Sequence, residues 1–307
     1  MKNLAALSAF DTETPKGIQR VRRLPDPALG DLWDSIIIDP AIKSQLLSQA
    51  VLNFTIRGKV SRTVLPLHGV ILLTGEPGTG KSSLARGLAH RTAKAFNSDA
   101  FKLLEVEPHS LTSSGMGKTQ KAVSELFSQA ISEAATSGPT IVLLDEVETL
   151  AVDRSKLSMD ANPIDIHRAT DAVLVQLDAL AEQHSNLLFL ATSNFPEAVD
   201  TAFTSRADLV LKIPLPNKEA CRQILTDCLK GLGKTYTPIA SLAQSARFDQ
   251  CVSECVGLDG RAIRKMVANA LARRPETAMD PSKVTIEDLL ASAQAAKANR
   301  SLGGKAK

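Results

Sequence analysis

The stretch from Gly69 to Ser83 constrains the fold more than any other: Gly-Val-Ile-Leu-Leu-Thr-Gly-Glu-Pro-Gly-Thr-Gly-Lys-Ser-Ser. Gly75, Gly80, Lys81 and Ser82 fit the phosphate-binding pattern G-x-x-x-x-G-K-[ST]. The apolar run Val70 to Leu73 has no polar alternate face, which predicts a buried parallel strand. Leu84, Ala85, Leu88 and Ala89 follow at helical spacing, so the pattern lies between a strand and a helix N-terminus. There the glycines of the loop Gly75-Glu76-Pro77-Gly78-Thr79-Gly80 let main-chain N–H groups close around a phosphate, and the helix dipole favours that anion. Pro77 stiffens the loop. Lys81 is placed to reach the β- and γ-phosphates and the Ser82 hydroxyl to ligate Mg²⁺, with Ser83 completing the loop. The expected ligands are ATP and Mg²⁺.

A second anchor reads Thr140-Ile141-Val142-Leu143-Leu144-Asp145-Glu146-Val147-Glu148. Four apolar residues before two acids predict a buried strand with carboxylates at its C-terminal edge, where open α/β sheets bind ligands. Asp145 is the expected Mg²⁺ holder, and Glu146 the carboxylate that orients and polarises the attacking water. Glu148 and Asp153 read as surface charges. A third buried strand, Leu187 to Ala191, closes on Thr192, Ser193 and Asn194. Asn194 can hydrogen-bond the water or the γ-phosphate; the other reading is a turn residue before Phe195-Pro196.

Further strands are expected at Phe101 to Val106 and Leu209 to Ile213. Helical stripes run from Asp39-Pro40 to Phe54, along Ala122, Val123, Leu126, Phe127, Ala130 and Ile131, and from His167 to Leu180. Pro214 and Pro216 mark a boundary, after which the pattern is helical. Five strands alternating with helices predict an α/β fold: a five-stranded, doubly wound parallel sheet with flanking helices and a small C-terminal all-α lid. The expected divisions are an N-terminal arm over residues 1–30, loosely ordered and proline-bearing, and a nucleotide-binding α/β domain over 31–215. A helical lid over 216–298 and a disordered tail over 299–307 complete them.

Bulk properties narrow the partners. A net charge of +3, with one Trp and one Tyr, gives little basis for nucleic-acid binding. No apolar run approaches a membrane span, and the N-terminus lacks a signal-peptide core. Cys221, Cys228, Cys251 and Cys255 form no C-x-x-C pair; they read as small buried hydrophobes in a reducing compartment.

The ordered set Gly75-Glu76-Pro77-Gly78-Thr79-Gly80-Lys81-Ser82, Asp145-Glu146, Thr192-Ser193-Asn194, Arg206 and Gly260-Arg261 resembles that of the AAA+ ATPases. More narrowly, the chain resembles the HORMA-domain remodellers of the Trip/Pch type. Leu32-Trp33-Asp34-Ser35, His109-Ser110-Leu111, Asp171 to Asp178, Ser205-Arg206-Ala207-Asp208 and Gly260 to Lys265 carry that likeness. The match runs from about Asp31 to Ala295. The resemblance implies ATP hydrolysis in a cytoplasmic homo-oligomeric ring, a hexamer, that pulls on a HORMA protein and converts its closed, partner-bound form to the open one. Arg206 then resembles the finger that reaches a neighbouring subunit's γ-phosphate, and Arg261 the lid arginine that senses nucleotide in its own subunit. The residues alone also allow an Arg206–Asp208 ion pair and a solvated face around Arg261.

Two departures from the family pattern stand out. Only a short arm precedes the module, where eukaryotic members carry an adaptor-binding domain. That resembles bacterial members encoded with cyclic-nucleotide antiphage signalling (CBASS), in which the partner HORMA protein serves a CD-NTase-type nucleotidyltransferase. The gripping loop, aromatic in the family, reads Ser114-Gly115-Met116-Gly117, so Met116 between Gly115 and Gly117 is the expected apolar grip. Two other classes remain open on sequence: an AAA+ ATPase acting on nucleic acid, of clamp-loader or replication type, and a nucleotide switch without turnover.

Overall fold

The computed structural model describes residues 15–111, 118–153 and 163–303. Six strands form one sheet: β1 Ile18–Arg23, β2 Val70–Thr74, β3 Lys102–Val106, β4 Thr140–Leu144, β5 Leu187–Ser193 and β6 Leu209–Lys212. Their order is β1-β3-β4-β5-β2-β6. The last five in that order run parallel, as the sequence predicts. β1 pairs antiparallel with β3. Within the arm expected over residues 1–30, the described part is therefore not loose: Ile18–Arg23 adds a sixth, antiparallel edge strand to the sheet expected as five parallel strands. The alternation of this edge strand is weak because only Ile18 is fully buried, with Val21 packed part-buried against the same core.

β2, β4 and β5 are buried along their whole length, which explains why they show apolar runs and not alternation. From β2 the chain crosses to β3, while β5 continues to β6 on the other side of β2. The direction of winding therefore reverses beside β2, and a ligand crevice is expected outside its carboxyl end.

The helices accompanying the sheet are α1 Pro27–Ser35, α2 Pro40–Ile56, α3 Lys81–Ala95, α4 Pro108–Leu111, α5 Lys118–Glu125, α6 Ser132–Thr136, α7 Pro163–Gln183 and α8 Thr201–Thr204. Between α5 and α6 the stripe expected as one helix widens into a π-helical stretch, Leu126–Ile131. It contributes Phe127, which stacks on Phe189 of β5 at 5.8 Å between ring centroids. The helix that follows the phosphate loop is pinned from a second side. Gly87 of α3 lies against Trp33 of α1, where a Cβ would meet the Trp33 Cβ at 2.5 Å. Arg91 of α3 reaches both carboxylate oxygens of Asp34, at 2.6 and 2.9 Å. The Leu32-Trp33-Asp34 signature is thus a clamp on α3.

The chain divides into two compact units. The first holds the residues up to Asp34, Ala41–Gly75 and Lys81–Lys212. The second holds Ser35–Pro40, Glu76–Gly80 and the chain from Ile213. It is helical: α9 Lys218–Gly233, α10 Thr237–Ala240, α11 Phe248–Cys255, α12 Gly260–Leu271, α13 Pro275–Met279 and α14 Ile286–Gly303. Its core gathers Ile224, Leu225, Leu229, Val252, Ile263, Met266 and Leu289 around Cys221, Cys251 and Cys255. Burial pushes the Cys251 thiol up to about 11 and the Cys255 thiol up to about 12. All four cysteines are unpaired, and three are buried, as small apolar fillers would be.

Candidate active site

Three strand ends deliver the predicted residues to one edge of the sheet. β2 runs into Gly75, β4 into Asp145 and Glu146, and β5 into Asn194. Lys81, first residue of α3, is buried. Its Nζ donates to the Gly75 carbonyl at 2.8 Å and to Asn194 Oδ1 at 2.8 Å. Asn194 Nδ2 donates to Glu146 Oε1 at 3.2 Å. Lys81, Asn194 and Glu146 therefore form one connected chain, and the turn-only reading of Asn194 does not describe what it touches.

A second set centres on Asp145. Ser82 Oγ donates to Asp145 Oδ1 at 2.7 Å. Thr192 Oγ1 donates to the same oxygen, and accepts the Glu146 N–H at 3.2 Å. The Ser82 hydroxyl and Asp145 carboxylate are hard oxygen donors adjacent to the Lys81 ammonium, the donor set that suits Mg²⁺ carried with a phosphate ligand. Among the described residues no cluster of three or more His, Cys, Asp or Glu is arranged for a metal. Mg²⁺ needs none, because it is usually held by one or two carboxylates plus substrate phosphates.

Glu146 is the one residue of this set with unusual backbone. Its φ of 54° and ψ of 54° are left-handed, a region that non-glycine residues seldom occupy. Thr149 holds that conformation, donating to the Glu146 carbonyl from its N–H at 3.0 Å and its hydroxyl at 2.9 Å. The conformation turns the half-exposed Glu146 side chain to Asn194, with His109 Nε2 3.5 Å from Oε2.

Several contributors were not singled out by the sequence as site residues. His109 lies on α4, at the end of β3. Glu148, expected as a surface charge, instead accepts the Asn194 backbone N–H at 3.0 Å and fixes the turn after β5. Arg86, one turn beyond Ser82 on α3, has Nη2 3.9 Å from Asp145 Oδ2 and donates from Nε to Glu105 Oε2 at 2.7 Å. Glu105, buried on β3, also accepts from Arg22 Nε of β1 at 3.0 Å. A strand acid such as Glu105 interrupts an apolar run, and that interruption was the available signal.

Arg206 follows α8. Its Nε and Nη2 donate to Asp178 Oδ1 and Oδ2 of α7 at 2.8 and 2.7 Å, and its Nη1 to the Ala202 carbonyl at 2.8 Å. The ion-pair partner is thus Asp178 and not Asp208. Asp208 accepts the backbone N–H groups of His68, Gly69 and Val70 and secures the entry to β2. The Arg206 guanidinium holds the Asp178 carboxyl below its usual range, and that same hydrogen-bonded pairing raises Arg206. His68, with Nε2 3.5 Å from Asp178, is depressed by burial first and by Arg62 next, so it is neutral at pH 7.

In the second unit the loop tip Glu76–Gly80 meets its own helical partners. At Gly78, with φ +83°, a Cβ would lie 2.1 Å from Asp259 Oδ1, so only glycine fits. Asp259 caps α12 by accepting the Ala262 N–H at 2.9 Å. Arg300 of α14 pairs with Glu76 and lies 3.6 Å from Asp259. Arg261, second residue of α12, is exposed. Gly115, Met116 and Gly117 lie outside the described residues.

A mostly parallel sheet with a phosphate loop after β2, an asparagine at the end of the neighbouring β5 and paired acids at the end of β4 beyond it defines a class. The chain belongs to the AAA ATPases: residues 71–215 match the profile of the ATPase family associated with various cellular activities (AAA). Within that class it is similar to CD-NTase-associated protein 6 of Pseudomonas aeruginosa, at 67% identity over 97% of this chain and 98% of that protein. It is also similar to the Pachytene checkpoint protein 2 homolog of Rattus norvegicus, at 36% identity over 69% of this chain; that region is 50% of the rat protein. Among solved structures, C. elegans PCH-2 shares the fold at a TM-score of 0.71 and 27% identity, covering 91% of this chain and 75% of that one. A chain of the E. coli MS115-1 HORMA:CdnC:Trip13 complex does so at 0.74 and 21% identity, covering 91% and 95%. Among the described residues no helix is long and apolar enough to cross a membrane.

Proposed function

We propose that the chain hydrolyses ATP with Mg²⁺ and uses the cycle to open closed HORMA-domain assemblies. It works as a homo-oligomeric ring, a hexamer, in the cytoplasm. The substrate is a HORMA protein serving a CD-NTase-type nucleotidyltransferase, whose signalling the ring switches off. The observation that carries the catalytic part is the connected contact chain Lys81–Asn194–Glu146 beside the Ser82–Asp145 pair. The identity of the Pseudomonas relative, an associate of a CD-NTase by name, supports the biological part.

In this reading the loop from Gly75 to Ser83 and the α3 N-terminus bind the phosphates. Lys81 turns its ammonium from Asn194 to the β- and γ-phosphate oxygens. Ser82 and Asp145 hold Mg²⁺, which when bound neutralises charge on those oxygens. Asn194, released from Lys81, keeps its amide on Glu146 and fixes the carboxylate that accepts the water's proton. Arg206 completes a neighbouring subunit's site, and Arg261 reports on the nucleotide in its own. The loop carrying Gly115, Met116 and Gly117 grips the substrate chain.

The test is steady-state ATPase with HORMA protein, with DNA, or with neither. Stimulation by the HORMA protein and not by DNA is expected. Glu146→Gln should bind ATP with near-normal affinity and lose turnover. DNA-only stimulation would assign the ring to nucleic acid, and near-normal ATPase in Glu146→Gln would remove Glu146 from the mechanism.

A further inference from the structure

The proposed finger does not stand alone. Arg206 follows a four-residue helix and extends a long side chain that on its own would sample many rotamers. Three of its five N–H donors are engaged within its own subunit: Nε and Nη2 by the two oxygens of Asp178, and Nη1 by the Ala202 carbonyl. A carboxylate that takes Nε and Nη2 together is a planar, side-on fork, the most directional partner a guanidinium has. It leaves one donor on Nη1 and one on Nη2, the pair at the far end of the group. Two parallel donors at the tip match two oxygens of a phosphoryl group.

We propose that Asp178 is a positioning residue for hydrolysis in the neighbouring subunit. By gripping the inner edge of Arg206 it fixes the outer edge as a two-donor fork for the neighbour's γ-phosphate. The inference rests on the trans reading of Arg206 given above. Asp178 belongs to α7, which is anchored in the core through Val173, Leu174, Leu177 and Leu180. The clamp thus ties the finger to the same packed layer that carries the sheet. His68 contacts the carboxylate from the strand-entry side as a neutral imidazole, so it leaves the negative charge on Asp178 for Arg206. Asp178 touches no reacting atom. Its contribution is geometric, and a misplacement of the order of 1 Å in such a group costs about a hundredfold in rate.

Loss of the clamp should act on kcat more than on binding. Asp178→Ala should lower kcat roughly 10–100-fold, while the ATP affinity of the variant stays within about twofold. Arg206→Ala should lose about 10³-fold or more. Asp178→Glu, which keeps the carboxylate one methylene displaced, should recover part of the loss. Asp178→Asn, isosteric and uncharged, carries the same test should the Ala variant fold poorly.

Mixed rings of the full-length chain separate the possibilities. Arg206→Ala with Glu146→Gln should regain activity, since each supplies what the other lacks across the interface. Asp178→Ala with Glu146→Gln should regain it too. Asp178→Ala with Arg206→Ala should stay as low as the two variants averaged, because both damage the same donor face. If that last pair instead recovers turnover, Asp178 serves its own subunit's site and the proposal is overturned, with the trans finger intact. If Arg206→Ala with Glu146→Gln fails in rings shown to mix, the trans finger itself is wrong, and the role of Asp178 falls with it. Wild-type kcat in Asp178→Ala would overturn the proposal directly.

Discussion

Glu105→Gln tests whether the charge network behind the active edge is structural support for Asp145. Glu105 is buried on β3 and accepts from Arg22 at 3.0 Å and Arg86 at 2.7 Å, one arginine on each oxygen. Glutamine keeps the volume but turns one of those oxygens into an amide that only donates. Whichever arginine faces it loses a charge-assisted hydrogen bond, worth about 1.5–3 kcal/mol, and the other keeps a weaker neutral acceptor. Both arginines have about a quarter of their side chains exposed, so water recovers part of the loss. A net destabilisation of roughly 2–3 kcal/mol follows, which for a unit of this size lowers Tm by about 5–10 °C. A second effect reaches the site. With the amide turned to Arg86, which lies 3.9 Å from Asp145 Oδ2, that arginine loses its hold on Glu105 and draws onto Asp145, where its charge would compete with the proposed Mg²⁺. Thermal melts and Mg²⁺ titrations of ATPase measure the two effects on one preparation. A Tm within about 1 °C of the parent chain, together with an unchanged Mg²⁺ requirement, would refute both the energetics and the link to Asp145.

The helical unit should weaken in alkali. The Cys251 and Cys255 thiols titrate at about 11 and about 12 when folded, above their ordinary value of 9.0. Raised folded values stabilise fully below the unfolded value, and that contribution is lost as pH rises from about 9 through the folded values. By pH 10 the two thiols together should cost roughly 2–3 kcal/mol, and Cys251→Ala with Cys255→Ala should flatten the dependence; an unaltered pH profile would contradict the burial argument. Thiol labelling at pH 8 should spare Cys221, Cys251 and Cys255 until denaturant is added, and rapid native labelling of all four would count against it. Met116→Asp should leave basal ATPase largely intact and lose opening of a closed HORMA complex; wild-type opening would remove Met116 from the grip.

Much of the site was legible because the chemistry forces residue types into fixed local order. Gly75 to Ser82 must join a buried strand to a helix N-terminus, and Asp145 and Asn194 must end buried strands, so pattern and spacing sufficed. The parallel strands were equally legible, since β2, β4 and β5 are covered on both faces and show as apolar runs. The edge strand Ile18–Arg23 was not, because it buries little and its pairing with β3 is a long-range event without local signature. The π-helical stretch at Leu126–Ile131 keeps the apolar stripe of an ordinary helix and could not be told from one. Partner choice was the least legible feature. Asp208 is two residues from Arg206 and Asp178 is twenty-eight, yet Asp208 is taken by three backbone N–H groups and Asp178 is free to make the fork. Sequence distance carries no information about that competition.

The proposed cycle converts ATP turnover at Glu146 into opening of a HORMA protein. It is tested most directly by following release of the bound partner from a closed HORMA complex while ATPase is recorded in the same reaction. Release is expected with Mg²⁺-ATP, at a rate that scales with turnover across partially active mixtures of parent chain and Glu146→Gln, and none with Glu146→Gln alone despite bound ATP. Release at the parental rate by Glu146→Gln alone would contradict it, because nucleotide binding without hydrolysis would then suffice.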